Sequence, residues 1–250
     1  MDLADATVVV TGGTGGLGSR ICHAFARQGA RVAVGYLARD EVARSLVDEL
    51  RVAGAADALA VKADMTQPGP IAAMVEQVTG AWGRLDVLVN DAAINQSVAF
   101  TDLDGMTLDL WQNIMHANVT GPFLCIKAVA PSMRRQRRGR IINIGSVAGF
   151  QPGGSSIAYA VSKAALAHLT RCMAVALAPH ILVNAVAPGL MEGTRMTGNL
   201  HPDQIRNSLE GAQLRRAVDK DDVAEQVVTF ARTDSATGQN VVIDAGRFFH

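Results

Sequence analysis

The stretch Thr7-Val8-Val9-Val10-Thr11-Gly12-Gly13-Thr14-Gly15-Gly16-Leu17-Gly18 determines the architecture that we predict for this 250-residue chain. Its β-branched residues favour a strand, and residues 19–27 that follow the glycines have helical periodicity. A strand, a glycine loop and a helix in this order lay a pyrophosphate on backbone N–H groups at the helix N-terminus. The alternative is a flexible glycine turn without a ligand. The candidate dinucleotide contacts in the loop are Gly12, Thr14, Gly16 and Leu17.

Strand-like and helix-like segments alternate along the rest of the chain. Further strands are predicted at 30–36, 58–63, 85–89, 140–144, 181–186 and 240–244, with helical patterns between them. This alternation predicts an α/β fold, a Rossmann-type doubly wound parallel sheet flanked by helices. No linker or change of composition divides the chain. Residues 1–250 are therefore expected to form a single dinucleotide-binding and catalytic domain.

The composition limits the classes of partner that the chain is expected to bind. The 23 basic and 23 acidic residues cancel, which gives no indication of a nucleic-acid or anionic-membrane partner. The basic run at 134–140 is interpreted as the end of a helix, where cations suit the dipole. The N-terminus is unlike a signal peptide, and polar residues interrupt the long uncharged stretches. We expect a soluble, cytoplasmic protein.

Cys22, Cys125 and Cys172 have no paired spacing and lie in apolar helical contexts. They are predicted to be buried thiols that form neither a disulfide nor a metal site.

The end of the second predicted strand bears on the choice of cofactor. An acidic residue about 20 residues after the glycine loop would normally bind the ribose 2′-hydroxyl of NAD. That place is occupied by Tyr36, with Arg39 close behind, which favours the 2′-phosphate of NADP. The alternative is NAD, with Arg39 a solvated loop residue and Asp40 the start of the next helix.

Polar residues also follow the next two strands. The carboxylate of Asp64 either accepts from the adenine amino group or caps the helix after Pro68. Asn90 is expected to tie adjacent strand ends together beside the cofactor.

The helical region 111–133 contains two residues that disfavour a helix interior, Asn118 and Pro122. Such a conflict often marks a functional kink. We expect Asn118 to hold a water that carries protons towards the site.

Tyr159 and Lys163 are four residues apart in a helical pattern and would therefore share one face. The nearby ammonium of Lys163 is expected to lower the pKa of the Tyr159 phenol. Ser146 follows the fifth predicted strand and would meet the pair at the same sheet edge. In hydride transfer, Tyr159 would supply the proton and Ser146 would stabilise the developing alkoxide.

With these features together, the chain resembles the short-chain dehydrogenase/reductase family over essentially its whole length. The matching features are Thr11-Gly12-x-x-x-Gly16-x-Gly18, Asp64, Asn90, Asn118, Ser146, Tyr159-x-x-x-Lys163 and Pro188-Gly189. The resemblance implies a catalytic tetrad of Asn118, Ser146, Tyr159 and Lys163, a nicotinamide cofactor, and a homotetramer or homodimer. It further implies that Pro188, Gly189 and Thr194 contact the cofactor. Within the family, the chain looks most like 3-oxoacyl and acetoacetyl thioester reductases.

The chain departs from the family pattern in several regions. Asn90-Asp91-Ala92-Ala93 stands where the family has Asn-Asn-Ala-Gly, next to the predicted cofactor. The turn at 178–181 is one residue short, and an extra residue, Gly193, precedes Thr194. The connection at 231–238 is short, and Asp244-Ala245-Gly246 replaces a double glycine, in a region that the family uses for subunit contacts.

The function predicted is reduction of a ketone or 3-oxoacyl carbonyl by an NADP-dependent enzyme. The alternatives are an NAD-dependent secondary alcohol dehydrogenase and a non-catalytic nucleotide sensor. Residues 150–152 and 191–196 are expected to line the pocket for a small-molecule substrate, with Gln151 its polar contact. Residues 190–200 are expected to act as a mobile lid.

Overall fold

The computed structural model describes residues 1–249 and contains a seven-stranded parallel sheet. The strands are β1 (Thr7–Thr11), β2 (Arg31–Tyr36), β3 (Asp57–Lys62), β4 (Val87–Asn90), β5 (Gly139–Ile144), β6 (Ile181–Pro188) and β7 (Asn240–Ile243). Their spatial order is β3-β2-β1-β4-β5-β6-β7. The predicted doubly wound parallel sheet is therefore confirmed.

Helices connect the strands and cover both faces of the sheet. They are α1 (Gly18–Ala26), α2 (Asp40–Val52), α3 (Pro68–Trp82), α4 (Leu108–Met115), α5 (Gly121–Gln136), α6 (Ile157–Leu177), α7 (Arg195–Gly198), α8 (Pro202–Gly211) and α9 (Lys220–Arg232). Successive strand residues point to opposite faces, so Val8 and Val10 join one apolar core while Val9 joins the other. The first core includes residues of α1, α2 and α9, and the second includes residues of α3, α5 and α6. Because both faces are covered, the strands can be apolar throughout.

The order of the strands reverses between β1 and β4. β1 pairs with β2 on one side and with β4 on the other, so the connections on either side turn in opposite directions. In an open α/β sheet, a crevice forms outside the carboxyl ends of the strands at this point. Asn90 at the end of β4 donates its Nδ2 to Asn143 Oδ1 of β5 at 2.9 Å, as expected for a tie between strand ends.

The opposite edge of the sheet is held by a buried carboxylate. Asp86, just before β4, accepts a hydrogen bond from the backbone of Thr7 at 2.9 Å and a bidentate ion pair from Arg84. Its own carbonyl accepts from the backbone N–H of Arg140, 2.8 Å away. Arg140 in turn pairs with Asp234 beyond α9. The amino-terminal ends of β1, β4 and β5 are thus bound together.

The predicted helix over 111–133 is interrupted at the residues that disfavoured it. α4 and α5 are separated by one turn of π-helix, His116–Thr120, which contains Asn118. Pro122 is the second residue of α5 and directly follows the π-helical turn. A π-helical turn of this kind is frequent at functional sites.

The prediction of three buried thiols is wrong for one of them. Cys22 and Cys125 are buried in the two cores, but Cys172 is exposed on α6. Cys172 lies on the outward face of α6, where the apolar residue Val175 is also exposed. Among residues 1–249, α6 is the one helix long and apolar enough for a membrane span by length and composition. Its Ala174 and Leu177 pack in the second core, so this is weak evidence for a span.

Candidate active site

A cavity of about 770 Å³ lies at the carboxyl edge of the sheet, where the strand order reverses. Its walls come from the glycine loop, the ends of β2, β3, β4, β5 and β6, the start of α6, the segment 188–200 and the C-terminal segment. The predicted site residues that line it are Gly12, Thr14, Gly16, Leu17, Tyr36, Arg39, Asp64, Ser146, Gln151, Tyr159, Lys163, Pro188, Gly189 and Thr194. Asn90 and Asn118 are not among the residues that line it.

The glycine loop has the geometry of a phosphate cradle. Gly12 adopts φ +67°, a conformation that residues with a Cβ rarely adopt, and a Cβ there would lie 3.0 Å from the backbone of Ala92. At Gly18, the first residue of α1, a Cβ would lie 2.3 Å from the carbonyl oxygen of Gly12. The loop therefore packs its own backbone closely and leaves the start of α1 open to the cavity. These residues fit a dinucleotide, whose pyrophosphate would accept from the N–H groups at the start of α1.

The end of β2 carries the side chains predicted to select the cofactor. The phenol of Tyr36 donates to Asp40 Oδ1 at 3.0 Å, and Lys62 pairs with the same carboxylate at 3.2 Å. Asp40 begins α2 and has its charge balanced by Lys62. Arg39 is exposed at the cavity wall, and its guanidinium donates to the carbonyl of Thr14 in the glycine loop at 3.1 Å. Among residues 1–249, no carboxylate forms an ion pair with Arg39.

Asp64 was predicted either to bind adenine or to cap the next helix. Its Oδ1 accepts from the backbone N–H and the hydroxyl of Thr66, at 2.9 and 2.7 Å. These bonds hold the pKa of Asp64 below its usual range. The helix cap is Gln67, so the capping interpretation is wrong. Asp64 lines the cavity beyond the end of β3.

Ser146, Tyr159 and Lys163 are brought together by β5 and α6. Ser156 accepts a hydrogen bond from the backbone N–H of Tyr159 at 3.3 Å and so starts α6 with Tyr159 in its first turn. Lys163 lies one turn later, with its Nζ 5.7 Å from the centroid of the tyrosine ring. Ser146 follows β5 and hydrogen-bonds the Tyr159 side chain. The three functional groups therefore share one wall of the cavity, as their sequence positions predicted.

The pKa predicted for Tyr159 is wrong in direction. Burial raises the pKa of the phenol above its ordinary value, a shift that the Ser146 hydrogen bond opposes. Lys163 is itself buried, and burial lowers the pKa of its ammonium to about 8. Its Nζ donates to the carbonyl of Ile144 at 2.8 Å, at the end of β5. The loss of solvent around the phenol sets the direction of the shift, and the sequence does not show that loss.

The side chain of Asn118 is fixed by three hydrogen bonds. Its Oδ1 accepts from the backbone of Ile94 at 2.8 Å, and its Nδ2 donates to the Ile94 carbonyl and to Ser162 Oγ. Both amide hydrogens are thereby used, and the water expected at Asn118 remains a prediction. In this structure Asn118 joins the loop after β4 to α6, the helix that carries Tyr159 and Lys163.

The segment 190–200 covers one side of the cavity. Thr194 caps the short helix α7, and Asn95 donates to the carbonyl of Met196 at 2.9 Å. Gln204 of α8 donates to the carbonyl of Gly154 at 3.1 Å and so joins this cover to the loop after Ser146. The mobility of this segment remains a prediction.

The substrate side of the cavity differs from the prediction at two positions, Phe150 and Glu192, neither of which lines it. Gln151 and Pro152 line it, but Phe150 does not, and its ring packs against Phe248 with centroids 6.0 Å apart. Further lining residues that the sequence did not single out are Asn95, Ser155, Ser208 and Arg247. The Ser155 hydroxyl is buried and has no hydrogen-bond partner within residues 1–249. No motif marks these positions, because tertiary contacts alone bring them to the cavity.

Comparisons with known proteins agree with this geometry. The model of the family described as short chain dehydrogenase matches residues 6–205. A Streptomyces violaceoruber protein, described as a candidate ketoacyl reductase 2 of the granaticin polyketide synthase, is 36% identical over 244 residues, covering 95% of this chain and 94% of that protein. The 3-oxoacyl-acyl-carrier-protein reductase of Synechocystis sp. is 36% identical over 243 residues and covers 95% of each chain.

A solved structure extends the agreement to three dimensions. The crystal structure of a short-chain type dehydrogenase/reductase from Mycobacterium marinum matches with a TM-score of 0.86 at 32% identity, covering 98% of this chain and 96% of that one. The family match and the relatives imply an enzyme that uses a nicotinamide cofactor. This chain belongs to the short-chain dehydrogenase/reductase family, and it is an oxidoreductase of that family.

Proposed function

We propose that the chain reduces a ketone or 3-oxoacyl carbonyl to a secondary alcohol, with NADPH as cofactor and Tyr159 as proton donor. The observation that carries the proposal is the meeting of Ser146, Tyr159 and Lys163 in the cavity that also contains the glycine loop. The printed names of the ketoacyl and 3-oxoacyl relatives support a 3-oxoacyl substrate.

The side chains divide the proton chemistry among them. The nicotinamide supplies the hydride when bound. The raised pKa keeps the Tyr159 phenol protonated at neutral pH, ready to donate to the carbonyl oxygen. Ser146 is positioned to hydrogen-bond the same oxygen as negative charge develops on it. The oxidative direction would use the same phenol, in its ionised form, as the base, and the printed names of the reductase relatives support the reductive direction.

Lys163 would act through its charge and its position. Its Nζ is fixed at 2.8 Å from the Ile144 carbonyl and faces the Tyr159 ring. From there it stabilises negative charge on the phenol after the proton has left, and it is available to the nicotinamide ribose. Asn118 fixes the loop after β4 against Ser162 on the same helix. We therefore assign Asn118 a positioning role and Lys163 an electrostatic one.

The cofactor end of the cavity supports NADP over NAD. A carboxylate free to accept from the ribose 2′-hydroxyl would favour NAD. Here Asp40 is engaged by Tyr36 and Lys62, while Arg39 has no carboxylate partner among residues 1–249. A guanidinium in this position suits a 2′-phosphate. Further contacts proposed for the dinucleotide are Gly12, Thr14, Gly16, Leu17, Asp64, Pro188, Gly189 and Thr194, with Asn90 holding the strand ends beneath it.

We further propose that residues 1–250 act as one catalytic domain, in the cytoplasm, as a homotetramer or homodimer. Exposed apolar side chains on α5 and α6, including Phe123, Val161 and Val175, support association between copies. Light scattering after size-exclusion chromatography would measure the number of copies directly.

The test of the mechanism is Tyr159→Phe, which removes the proton donor and keeps the ring. We expect NADPH binding to survive, while turnover of a 3-oxoacyl thioester or ketone falls by about two orders of magnitude or more. Absorbance of NADPH measures turnover, and its fluorescence on binding measures affinity. Unchanged turnover would refute the mechanism. A panel of ketones and acyl thioesters would identify the substrate, and Gln151→Ala should raise KM if Gln151 contacts it.

A further inference from the structure

Asp91 is a carboxylate of the cavity wall that the proposed chemistry does not use. It follows β4, and its backbone N–H donates to Thr11 Oγ1 at 3.1 Å. Its Oδ2 lies 2.9 Å from the point where a Cβ on Gly18 would stand, and it interacts with the Gly18 backbone N–H. A side chain on Gly18 would displace it. The carboxylate of Asp91 therefore lies directly at the N-terminus of α1.

Several titratable groups face this carboxylate. α6 contributes the ammonium of Lys163 and the phenol of Tyr159, and α1 contributes the thiol of Cys22. β1 contributes only the neutral hydroxyl of Thr11. Among residues 1–249, no cation lies within ion-pair distance of Asp91. Burial raises the pKa of Asp91 to about 7, and the charge of Lys163 opposes that shift only in part.

The carboxylate of Asp91 would lie beside the pyrophosphate of a bound cofactor. The proposed function, on which this inference rests, puts the cofactor pyrophosphate on the N–H groups at the start of α1. The helix dipole favours one negative charge there, but two anions at the same helix end repel each other. A proton on Asp91 removes that repulsion. An asparagine, the family's residue at this position, would carry no charge to remove.

We propose that Asp91 takes up a proton when the dinucleotide binds, which makes it a proton-coupled positioning residue of the cofactor site. Binding of the anionic cofactor then stabilises the protonated form of Asp91, so its pKa rises in the complex. The affinity for the cofactor is greatest below about pH 7, which is the pKa of Asp91 in the ligand-free chain. Above that pH, the Kd rises by up to about tenfold per pH unit until the pKa of the complex is reached.

Infrared difference spectroscopy tests this directly on the full chain. NADPH added to the wild type at pH 7.5 should produce the C=O stretching band of a protonated carboxylic acid. The band should be absent in Asp91→Asn, which keeps the shape of the side chain. It should persist in the control Asp48→Asn, because Asp48 is an exposed carboxylate that does not line the cavity. No band in the wild type, or an equal band in Asp91→Asn, would overturn the proposal.

Calorimetry gives the size of the coupling without any variant. Titrations in two buffers of different ionisation enthalpy should show uptake of about half a proton per cofactor at pH 7.5. The same titration is repeated with NADH, which has no 2′-phosphate, so that proton uptake by that phosphate cannot account for the result. Zero uptake with both cofactors overturns the proposal even if Asp91→Asn does not fold. Binding with proton uptake but without carbonyl reduction would instead refute the proposed function alone.

Discussion

Replacing Arg39 by alanine should reduce affinity for NADPH and leave affinity for NADH nearly unchanged. Arg39 lies at the cavity wall, donates to Thr14 of the glycine loop, and has no ion-pair partner among the described residues. A hydrogen bond between charged groups contributes about 1.5–3 kcal/mol. Because Arg39 is exposed, solvent and salt weaken the interaction, and we expect the lower end of that range. About 1.5 kcal/mol corresponds to a roughly tenfold rise in the Kd for NADPH.

The assay is fluorescence titration of both reduced cofactors with wild type, Arg39→Ala and Arg44→Ala. Arg44 is the matched control, because it is an exposed arginine on α2 near Arg39 that does not line the main cavity. Its replacement should change the ratio of the two Kd values by less than about twofold. A wild type without NADPH preference, or a preference that survives Arg39→Ala, would refute the assignment of the phosphate to Arg39.

Two further predictions concern stability and reactivity. Asp86→Asn should lower the free energy of unfolding in urea by about 2 kcal/mol, since the buried side chain loses its charge opposite Arg84. The control Asp48→Asn breaks an exposed pair with Arg51 and should cost less than about 0.5 kcal/mol; equal losses would contradict the argument. A thiol reagent should modify one cysteine, Cys172, in the native chain and all three after denaturation. Rapid native modification of more than one thiol would contradict the burial described above.

The sequence was most informative where local rules and the fold coincide. Residues 7–10 are β-branched, run straight into glycines and are followed by helical periodicity, and the structure has β1, the loop and α1 there. The four-residue spacing of Tyr159 and Lys163 likewise sufficed to place them on one helix face. The conflict at Asn118 correctly marked an irregular turn, although the sequence contained nothing to show which groups its amide would bind.

The sequence was least informative about burial. The direction of the pKa shift of Tyr159 depends on how much water the folded chain removes, and no local pattern records that. The same holds for Cys172, whose apolar neighbours lie on a helix with an exposed face. Asp91 interacts with Lys163 and with the start of α1 because three separate elements of the fold meet there. Spacing rules describe one element at a time and therefore miss such contacts.

The clamp of Asp86, Thr7 and Arg84 lies at the edge of the sheet opposite the cavity. The interactions that tie β1, β4 and β5 together are therefore separate from the residues that would select a substrate. Loops such as 151–154 and 191–196 can change in length and composition without disturbing that clamp. Such a separation gives the scaffold room to acquire new substrates through mutation, and it makes the same loops the natural positions to randomise when the enzyme is redesigned.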